Sequence, residues 1–196
     1  MPEKNSTVGT DGETKYKGGD NINEIYLFVG RSGSGKSTVA DLLREKGWKI
    51  LESFTTRKPR FEGETGHIFV TKELFDALEN KCAYTYFDGN EYCAISAQVD
   101  LADIYIIDPD GIDYFKRHYV GDKVPYIVYF EVSKRVAAER MAVRGDDGEK
   151  ITARLANDEV FFKDRIKYDI CFNTETNDPV EIAAMLNARR QRYEEV

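Results

Sequence analysis

Short apolar runs recur along the chain at intervals that suit a sheet covered on both faces. They are rich in Ile, Val, Tyr and Phe, and lie at residues 25–29, 49–51, 104–107, 126–130 and 168–172. Several are unbroken rather than alternating, which is typical of strands that are buried on both sides. The hydrophobic pattern therefore predicts a parallel sheet.

Helical patterns lie between these runs. Residues 36–46 have helical spacing and stop at Gly47, a residue that commonly ends helices. Thr71, Ser133 and Asp178 can each cap a following helix with a side-chain oxygen. Strands that alternate with helices predict an α/β fold with a parallel sheet flanked by helices.

Two stretches interrupt this rhythm. Residues 53–98, rich in Thr, Tyr, Phe and Gly, predict a small mixed insert, and residues 144–150 predict a flexible joint between two basic helices. Residues 1–23 have almost nothing to bury and predict a disordered leader. The expected organisation is that leader and one domain at 24–196, with a core (24–52, 99–135 and 161–196), an insert (53–98) and a helical lid (136–160).

Composition excludes several classes of protein. The chain has 196 residues, 41% of them hydrophobic, and a formal net charge of -7, which disfavours general binding of nucleic acid. It contains no apolar run of transmembrane length, and its start lacks the apolar stretch of a secretory signal. We expect a cytoplasmic protein without a membrane or nucleic-acid partner, either a monomer or a homodimer.

The cysteines and histidines predict neither disulfides nor a zinc site. Cys82, Cys93 and Cys171 are scattered, and none belongs to a C-x-x-C pair. His67 and His118 are far apart and lack the spacing of metal ligands. This usage is typical of reduced thiols in the cytoplasm.

A glycine-rich segment carries the strongest functional signal. Residues 30–37, GRSGSGKS, match G-x-x-x-x-G-K-[ST] between a predicted strand and a predicted helix. In this setting backbone N–H groups converge on phosphate oxygens at a helix N-terminus. We expect Lys36 to reach the β- and γ-phosphates of ATP and Ser37 to bind Mg²⁺. The expected ATP-binding residues of the loop are Gly30, Ser32, Gly33, Ser34, Gly35, Lys36, Ser37 and Thr38.

The same region also fits other interpretations. The loop alone also fits a Gly-Ser turn before an ordinary helix, and phosphate loops occur in GTPases, ATPases and small kinases. No Asn-Lys-x-Asp motif of a GTPase is present. Asp108 ends an apolar strand and could orient Mg²⁺, or it could be a turn residue before Pro109.

A second anion site is predicted at residues 53–60. Ser53, Arg57 and Arg60 follow the second apolar run, with Pro59 stiffening the turn. Guanidinium groups offer bidentate donors to a terminal phosphate, although a solvated basic loop would look similar. A site for ATP together with a site for a monophosphate indicates a phosphotransferase.

These segments together resemble the guanylate kinase family, from about Glu24 to the end of the chain. SFTTRKPRFEGETG nearly reproduces the family pattern S-x-x-T-R-x-P-R-x-G-E-x-x-G, with one extra residue before Gly63. FDGNEYCAI is similar to the Gly-Asn-x-Tyr-Gly segment, ERMAVRGDDGEKITARLANDE to the lid, and YDICFNTETNDPVEIA to the last strand and helix. The resemblance implies a P-loop NTPase core, an acceptor-binding insert and a lid.

The resemblance also implies roles for individual residues. The acceptor phosphate would bind to Ser53, Arg57, Arg60 and Tyr92. Phosphoryl transfer would be assisted by Lys36 and by the lid arginines Arg140, Arg144 and Arg154. Asp108 would lie between substrate and Mg²⁺, and Asn173 would lie near the adenine. Arg140 and Arg144 are four apart and share a helix face. They also fit a solvated basic face paired with Glu139 or Asp158.

The chain departs from the family where the base is read. Ala83 stands where the family has a guanine-reading Glu, and Cys93 and Ala94 replace the Gly and the Ser or Thr that follow the Tyr. His67 falls where a phosphate-binding Tyr would be, and either binds the acceptor phosphate or is a turn residue. The candidates for a substitute base reader are Glu91, Asp88, Tyr84, Tyr86 and Glu79.

The predicted activity is Mg²⁺-dependent transfer of a phosphoryl group from ATP to a nucleoside monophosphate, with GMP as the expected acceptor. One alternative is a related small kinase that acts on another nucleotide or on a ribose bisphosphate. Another is a non-catalytic guanylate-kinase-like binding module, which the intact Gly35-Lys36-Ser37 disfavours.

Overall fold

The computed structural model describes residues 23–162 and 166–194. In chain order the elements are β1 (Glu24–Gly30), α1 (Lys36–Arg44), β2 (Ser53–Thr55), β3 (His67–Phe69), α2 (Lys72–Ala77), β4 (Lys81–Phe87), β5 (Asn90–Ile95), α3 (Ser96–Leu101), β6 (Ile104–Ile106), α4 (Pro109–His118), β7 (Val124–Glu131), α5 (Lys134–Val143), α6 (Gly148–Phe162), β8 (Ile170–Asn173) and α7 (Pro179–Glu194). The predicted disordered leader lies outside the described residues, apart from Asn23.

Four parallel strands form the central sheet in the order β6-β1-β7-β8. Tyr26 of β1 lies opposite Ile104 of β6 on one side and Tyr126 of β7 on the other. The predicted strand at 49–51 is reduced to one parallel bridge between Ile50 and Ile104. The predicted α/β fold with a parallel sheet is confirmed.

Side chains of β1 alternate between two hydrophobic cores, one on each face of the sheet. Ile25, Leu27 and Val29 pack on the face that also contains Phe115 of α4. Tyr26 and Phe28 pack on the opposite face, whose core is completed by α1 and α7 residues that include Val39, Leu43, Ile182 and Leu186. Burial on both faces explains the unbroken apolar run in the sequence.

A second sheet lies between residues 53 and 95, in the order β3-β2-β5-β4. β2 is parallel to β3 and antiparallel to β5, and β4 and β5 form an antiparallel hairpin. Helix α4 packs against β4 and so joins the second sheet to the central one. This contact fixes the position of the second sheet relative to the carboxyl ends of β1 and β6.

Helices α5 and α6 pack on each other through a small apolar cluster that includes Ala137, Met141, Ile151 and Leu155. The side chain of Ser133 caps α5 by accepting a hydrogen bond from the backbone of Val136, as the sequence predicted. No helix in the described part of the chain is long and apolar enough to cross a bilayer.

Candidate functional site

A cavity of 310 Å³ lies beyond the carboxyl ends of β1 and β6, facing the second sheet. Its wall brings together many of the residues that the sequence predicted for the site: Gly30, Ser32, Lys36, Ser53, Arg60, His67, Tyr92 and Asp108. The remaining lining residues are Thr85, Phe87, Tyr105, Ile106, Ile107, Asp158, Phe161 and Phe162. The phosphate loop and four of the predicted acceptor residues therefore face one cavity, whereas Arg57 is not among its lining residues.

The shape of the phosphate loop depends on two glycines that have no room for a side chain. A Cβ on Gly30 would overlap the backbone oxygen of Phe130 at the end of β7. A Cβ on Gly33, which has a φ of +75°, would lie 2.7 Å from the backbone oxygen of Ala137. Gly35 precedes α1 with a left-handed φ of 85° and brings the N-terminus of that helix to the loop.

Lys36 folds back onto the phosphate loop. Its Nζ donates to the backbone oxygen of Gly30 at 2.6 Å, to that of Arg31 at 2.8 Å and to the hydroxyl of Ser34 at 3.1 Å. Burial lowers the pKa of Lys36 to about 8, partly offset by the charge of Asp158. The ammonium thus lies against its own loop, and Lys36 lines the cavity.

A carboxylate from the lid contacts the same loop. Asp158 of α6 is 7% exposed, and its Oδ2 accepts the backbone N–H of Ser32 at 2.9 Å. The alternative interpretation of Asp158 as a partner of lid arginines is wrong, because its carboxylate binds the phosphate loop. Residue types alone gave no signal for a contact between positions 126 residues apart.

The predicted acceptor arginines are organised by Glu64. Arg57 makes two hydrogen bonds to the Glu64 carboxylate, at 2.8 and 3.1 Å, and the backbone N–H of Arg60 donates to it at 2.6 Å. These hydrogen bonds, chiefly that of Arg57, lower the pKa of Glu64 to about 2. Glu64 lies in the segment that resembles the family pattern, but the sequence did not predict it as a site residue.

Arg60 projects towards the cavity among other cations. Burial lowers the pKa of Arg60, and the charges of Arg154 and Arg57 lower it further. Cations that crowd one another in this way favour the binding of an anion between them.

His67 lies in the wall of the cavity, so it is not a solvent-facing turn residue. Its Nδ1 is 2.9 Å from the hydroxyl of Ser53, and its ring is 5.5 Å from that of Tyr92. Burial lowers the pKa of His67, and the charge of Arg57 lowers it further.

Asp108 ends up in the cavity wall and also caps α4. The hydroxyl of Thr85 and the backbone N–H of Gly111 both donate to its Oδ1 at 2.8 Å. Burial raises the pKa of Asp108, and these hydrogen bonds oppose the rise. Thr85, which the sequence analysis did not single out, thus helps to orient the Asp108 carboxylate.

The oxygen donors present suit Mg²⁺ bound mainly through a nucleotide. Ser37, exposed in the first turn of α1, offers a hydroxyl, and Asp108 offers a carboxylate. Within residues 23–162 and 166–194 no group of three or more His, Cys, Asp and Glu is placed to hold a metal alone. Mg²⁺ commonly needs no such group, since phosphate oxygens and water fill its other positions.

The positions that differ from the family at the base-reading site are apolar and buried. Ala83 of β4 lies opposite Ala94 of β5, and both are 0% exposed. The five residues proposed as substitute base readers do not line the cavity. Glu91, for example, accepts a hydrogen bond from Tyr84 at 3.0 Å and pairs with Lys72 at 2.9 Å.

Arg140 connects the lid to the phosphate loop and to the β8–α7 turn. Its guanidinium donates to the backbone oxygen of Gly33 at 3.3 Å, and to the hydroxyl and backbone oxygen of Thr174 at 3.0 and 2.6 Å. Arg140 is therefore neither on a solvated basic face nor paired with Glu139, which binds Arg135 instead.

Arg144 and Arg154 share a carboxylate of the lid. Asp146 accepts a short hydrogen bond from Arg144 and lies 3.5 Å from a guanidinium nitrogen of Arg154. The hydrogen bond from Arg144 lowers the pKa of Asp146, and the charges of Arg154 and Arg60 add to the effect. These two lid arginines thus act on a different partner from Arg140, although the sequence placed Arg140 and Arg144 on one face.

A smaller cavity of 230 Å³ lies beside the phosphate loop, whereas the family resemblance placed the adenine at Asn173. Its lining residues are Gly35, Thr38, Val39, Arg140, Thr174, Asn177, Pro179 and Ile182. Asn173 is not among them, since its side-chain oxygen accepts the backbone N–H of Glu175 at 2.9 Å. Thr174 and Asn177 are better placed to contact a ligand there.

Comparison with known proteins agrees with this arrangement. No family model matches the chain. A guanylate kinase of Fusobacterium nucleatum is 30% identical over 162 residues, covering 76% of this chain and 86% of that protein. A putative adenylate kinase of Thermoplasma volcanium is 28% identical over 132 residues, covering 61% of this chain and 83% of that protein.

A solved structure gives the same answer for the fold. The crystal structure of guanylate kinase from Anaplasma phagocytophilum superposes with a TM-score of 0.60 at 22% identity, covering 88% of this chain and 87% of that one. The sequence relative from Fusobacterium nucleatum extends the likeness from fold to family. The chain belongs to the guanylate kinase family of nucleoside monophosphate kinases.

Proposed function

We propose that the protein transfers a phosphoryl group from ATP to GMP, giving ADP and GDP. The observation that carries this proposal is the single 310 Å³ cavity that holds the phosphate loop in one wall and Ser53, Arg60, His67 and Tyr92 in the other. Two anion-binding groups that face one space are what in-line transfer between two phosphates requires.

The donor phosphates would bind to the loop N–H groups and to the ammonium of Lys36. Magnesium, when bound, neutralises charge on the β- and γ-phosphates. Ser37 and Asp108 would hold the ion, and the smaller cavity beside Thr174 and Asn177 would take the adenine.

The acceptor phosphate would bind to Arg57 and Arg60, which Glu64 holds in place. Ser53, His67 and Tyr92 would complete that site. No general base is needed, because a phosphate acceptor is already ionised at neutral pH. Arg144 and Arg154 would stabilise the charge of the migrating group, and closure of the lid would exclude water that could otherwise hydrolyse ATP.

A different phosphorylated acceptor is the second candidate. The buried side chains of Ala83 and Ala94 carry no polar atom that could contact a guanine edge, and the relative from Thermoplasma volcanium is named as a putative adenylate kinase. A base-reading carboxylate gives large discrimination where it is present, so its loss weakens the case for guanine. Ribose bisphosphate belongs to the same alternative.

An ADP-release assay with ATP and Mg²⁺ tests the proposal. The acceptors are GMP, dGMP, AMP, CMP, UMP and ribose 1,5-bisphosphate, and Lys36→Ala serves as the inactive control. We expect GMP or dGMP to be phosphorylated at least about tenfold more efficiently than the others. Another preferred acceptor would overturn the assignment of GMP, and no acceptor-dependent ADP release would overturn the enzyme itself.

A further inference from the structure

The lid places a carboxylate on the phosphate loop itself. Asp158 of α6 is nine-tenths buried, and its Oδ2 accepts the N–H of Ser32 at 2.9 Å. That N–H belongs to the loop that the sequence motif assigns to phosphate. A carboxylate and a phosphate are both anions that accept hydrogen bonds from backbone N–H groups, so they compete for such a donor.

Lys36 of the same loop also has its hydrogen bonds within the protein. All three hydrogen bonds of the Lys36 ammonium go to atoms of its own loop, at 2.6 to 3.1 Å. Asp158 lines the same cavity as Lys36 and attracts it electrostatically. Burial of a carboxylate is costly unless hydrogen bonds and opposite charge offset the loss of water. Here the phosphate loop supplies both.

Helix α6 couples this contact to the lid. Ile151 and Leu155 of α6 pack against Ala137 and Met141 of α5, so Asp158 sits on a helix with its own core. The same lid carries Asp146, which occupies Arg144 and Arg154. Lid carboxylates therefore cover the loop and two cations that the proposed reaction assigns to phosphate.

We propose that Asp158 is a built-in competitor of the nucleotide, whose carboxylate occupies the Ser32 N–H until a triphosphate displaces it. The identity of that triphosphate as ATP rests on the proposed function, whereas the competition rests on the contact itself. Displacement of Asp158 from the loop moves the end of α6, so nucleotide binding and rearrangement of the lid are one event. In the free enzyme the Ser32 N–H is thereby blocked by Asp158, and we call this the blocked state of the phosphate loop.

Binding of inorganic tripolyphosphate without metal tests the competition, because this probe has neither base nor acceptor. Isothermal titration at one pH and ionic strength compares the native chain with Asp158→Asn and with Glu159→Gln. Glu159 is the adjacent, exposed carboxylate and pairs with Lys134, so its variant removes the same charge one position away. We expect Asp158→Asn to bind tripolyphosphate about tenfold more tightly. This gain is what results if the blocked state is about tenfold more populated than the unblocked state in the native chain and is lost in the variant.

Glu159→Gln should change the affinity less than about twofold, as an exposed charge does. Unchanged or weaker binding by Asp158→Asn, an equal gain in both variants, or no binding by any of the three proteins would overturn the proposal.

Hydrogen exchange at the Ser32 amide tests the contact directly. In Asp158→Ala this N–H loses its partner, so we expect it to exchange at least about tenfold faster in the free protein and to regain protection with tripolyphosphate. An unchanged rate would show that the contact does not form and would end the proposal. Neither experiment contains an acceptor, so failure of phosphoryl transfer to every nucleotide leaves both results valid.

Discussion

The two walls of the cavity offer hydrogen-bond donors of different kinds. The phosphate loop presents backbone N–H groups, and its path is forced by glycines that abut Phe130 and Ala137. The opposite wall presents side chains, and Glu64 sets the position of its arginines. A site built from backbone groups is disrupted by a single added Cβ, whereas a site built from side chains can be altered by substituting one residue at a time. The family pattern is accordingly intact at the loop and altered at the base-reading positions.

Adding a methyl group at Gly33 should disrupt the backbone wall and give the largest effect among the variants described below. Gly33→Ala puts a Cβ 2.7 Å from the oxygen of Ala137, so the loop must shift. The matched control is Gly89→Ala, which has a φ of +74° but open space around the new Cβ. We expect kcat/KM for ATP to fall at least about 100-fold in Gly33→Ala, as displacement by about 1 Å can cause.

Gly89→Ala carries the same backbone strain without the clash, so its kcat/KM should stay within about threefold. Steady-state kinetics with varied ATP measures both values. Equal losses in the two variants would mean that φ strain, and not the contact with Ala137, explains the effect.

The side-chain wall should respond to loss of the charge on Glu64. Glu64→Gln weakens the hydrogen bonds that hold Arg57 and the backbone of Arg60, so kcat/KM for the acceptor should fall roughly 50-fold. KM for ATP should change less than about twofold, since the loop is untouched. Kinetics with each substrate varied in turn distinguishes the two walls. Glu62→Gln, an exposed carboxylate in the same loop, is the control, and an equal effect there would refute a specific role for Glu64.

The same carboxylate should make stability depend on pH. The hydrogen bond from Arg57 lowers the pKa of Glu64 from its usual 4.5 to about 2, so its stabilising contribution is present above pH 4.5 and is lost as the pH falls towards 2. We expect the free energy of unfolding to lose about 2 kcal/mol from this group over that window.

Chemical denaturation of the native chain and of Glu64→Gln at about pH 5 and about pH 2.5 measures this contribution. The stability difference between the two proteins should shrink as the pH falls. A constant difference would show that Glu64 does not titrate with the shifted pKa.

Arg140→Lys should give the smallest effect and should act on the donor side alone. The two terminal nitrogens of the guanidinium donate to the backbone oxygens of Gly33 and Thr174. The single ammonium of lysine cannot reproduce this two-pronged geometry. We expect KM for ATP to rise about fivefold with KM for the acceptor unchanged. Arg135→Lys, an exposed change on the same helix, should have no effect. A rise in KM for the acceptor would contradict this division of the cavity.

Local patterns predicted the features that depend on local chemistry. The unbroken run of β1 predicted a strand covered on both faces, and the motif at 30–37 predicted the phosphate loop. The segment at 53–60 predicted a group of cations, because Arg57 and Arg60 lie close together in the chain beside Pro59. The short bridge at Ile50 shows the limit, since pairing partners decide how far a strand extends.

Contacts between distant segments were not predictable from residue types. Asp158 reaches Ser32 across 126 residues, and Thr85 reaches Asp108 across 23. A helical Asp and a strand Thr each suit many environments, so tertiary packing alone selects these partners. Asn173 shows the reverse case, because a turn hydrogen bond to Glu175 engages a side chain that the family likeness assigned to adenine.

The order of strands in the central sheet has a consequence for how the protein folds. β4 and β5 are joined by a tight turn at residues 88–89, so this hairpin of the acceptor wall closes between near neighbours in the chain. β1 instead pairs with the distant strands β6 and β7, since Tyr26 lies opposite Ile104 and Tyr126. The central sheet therefore cannot form before those strands are available. Long loops close slowly and gain contacts late. During synthesis the acceptor hairpin can therefore form first, and the phosphate loop reaches its final shape only when Phe130 arrives beside Gly30.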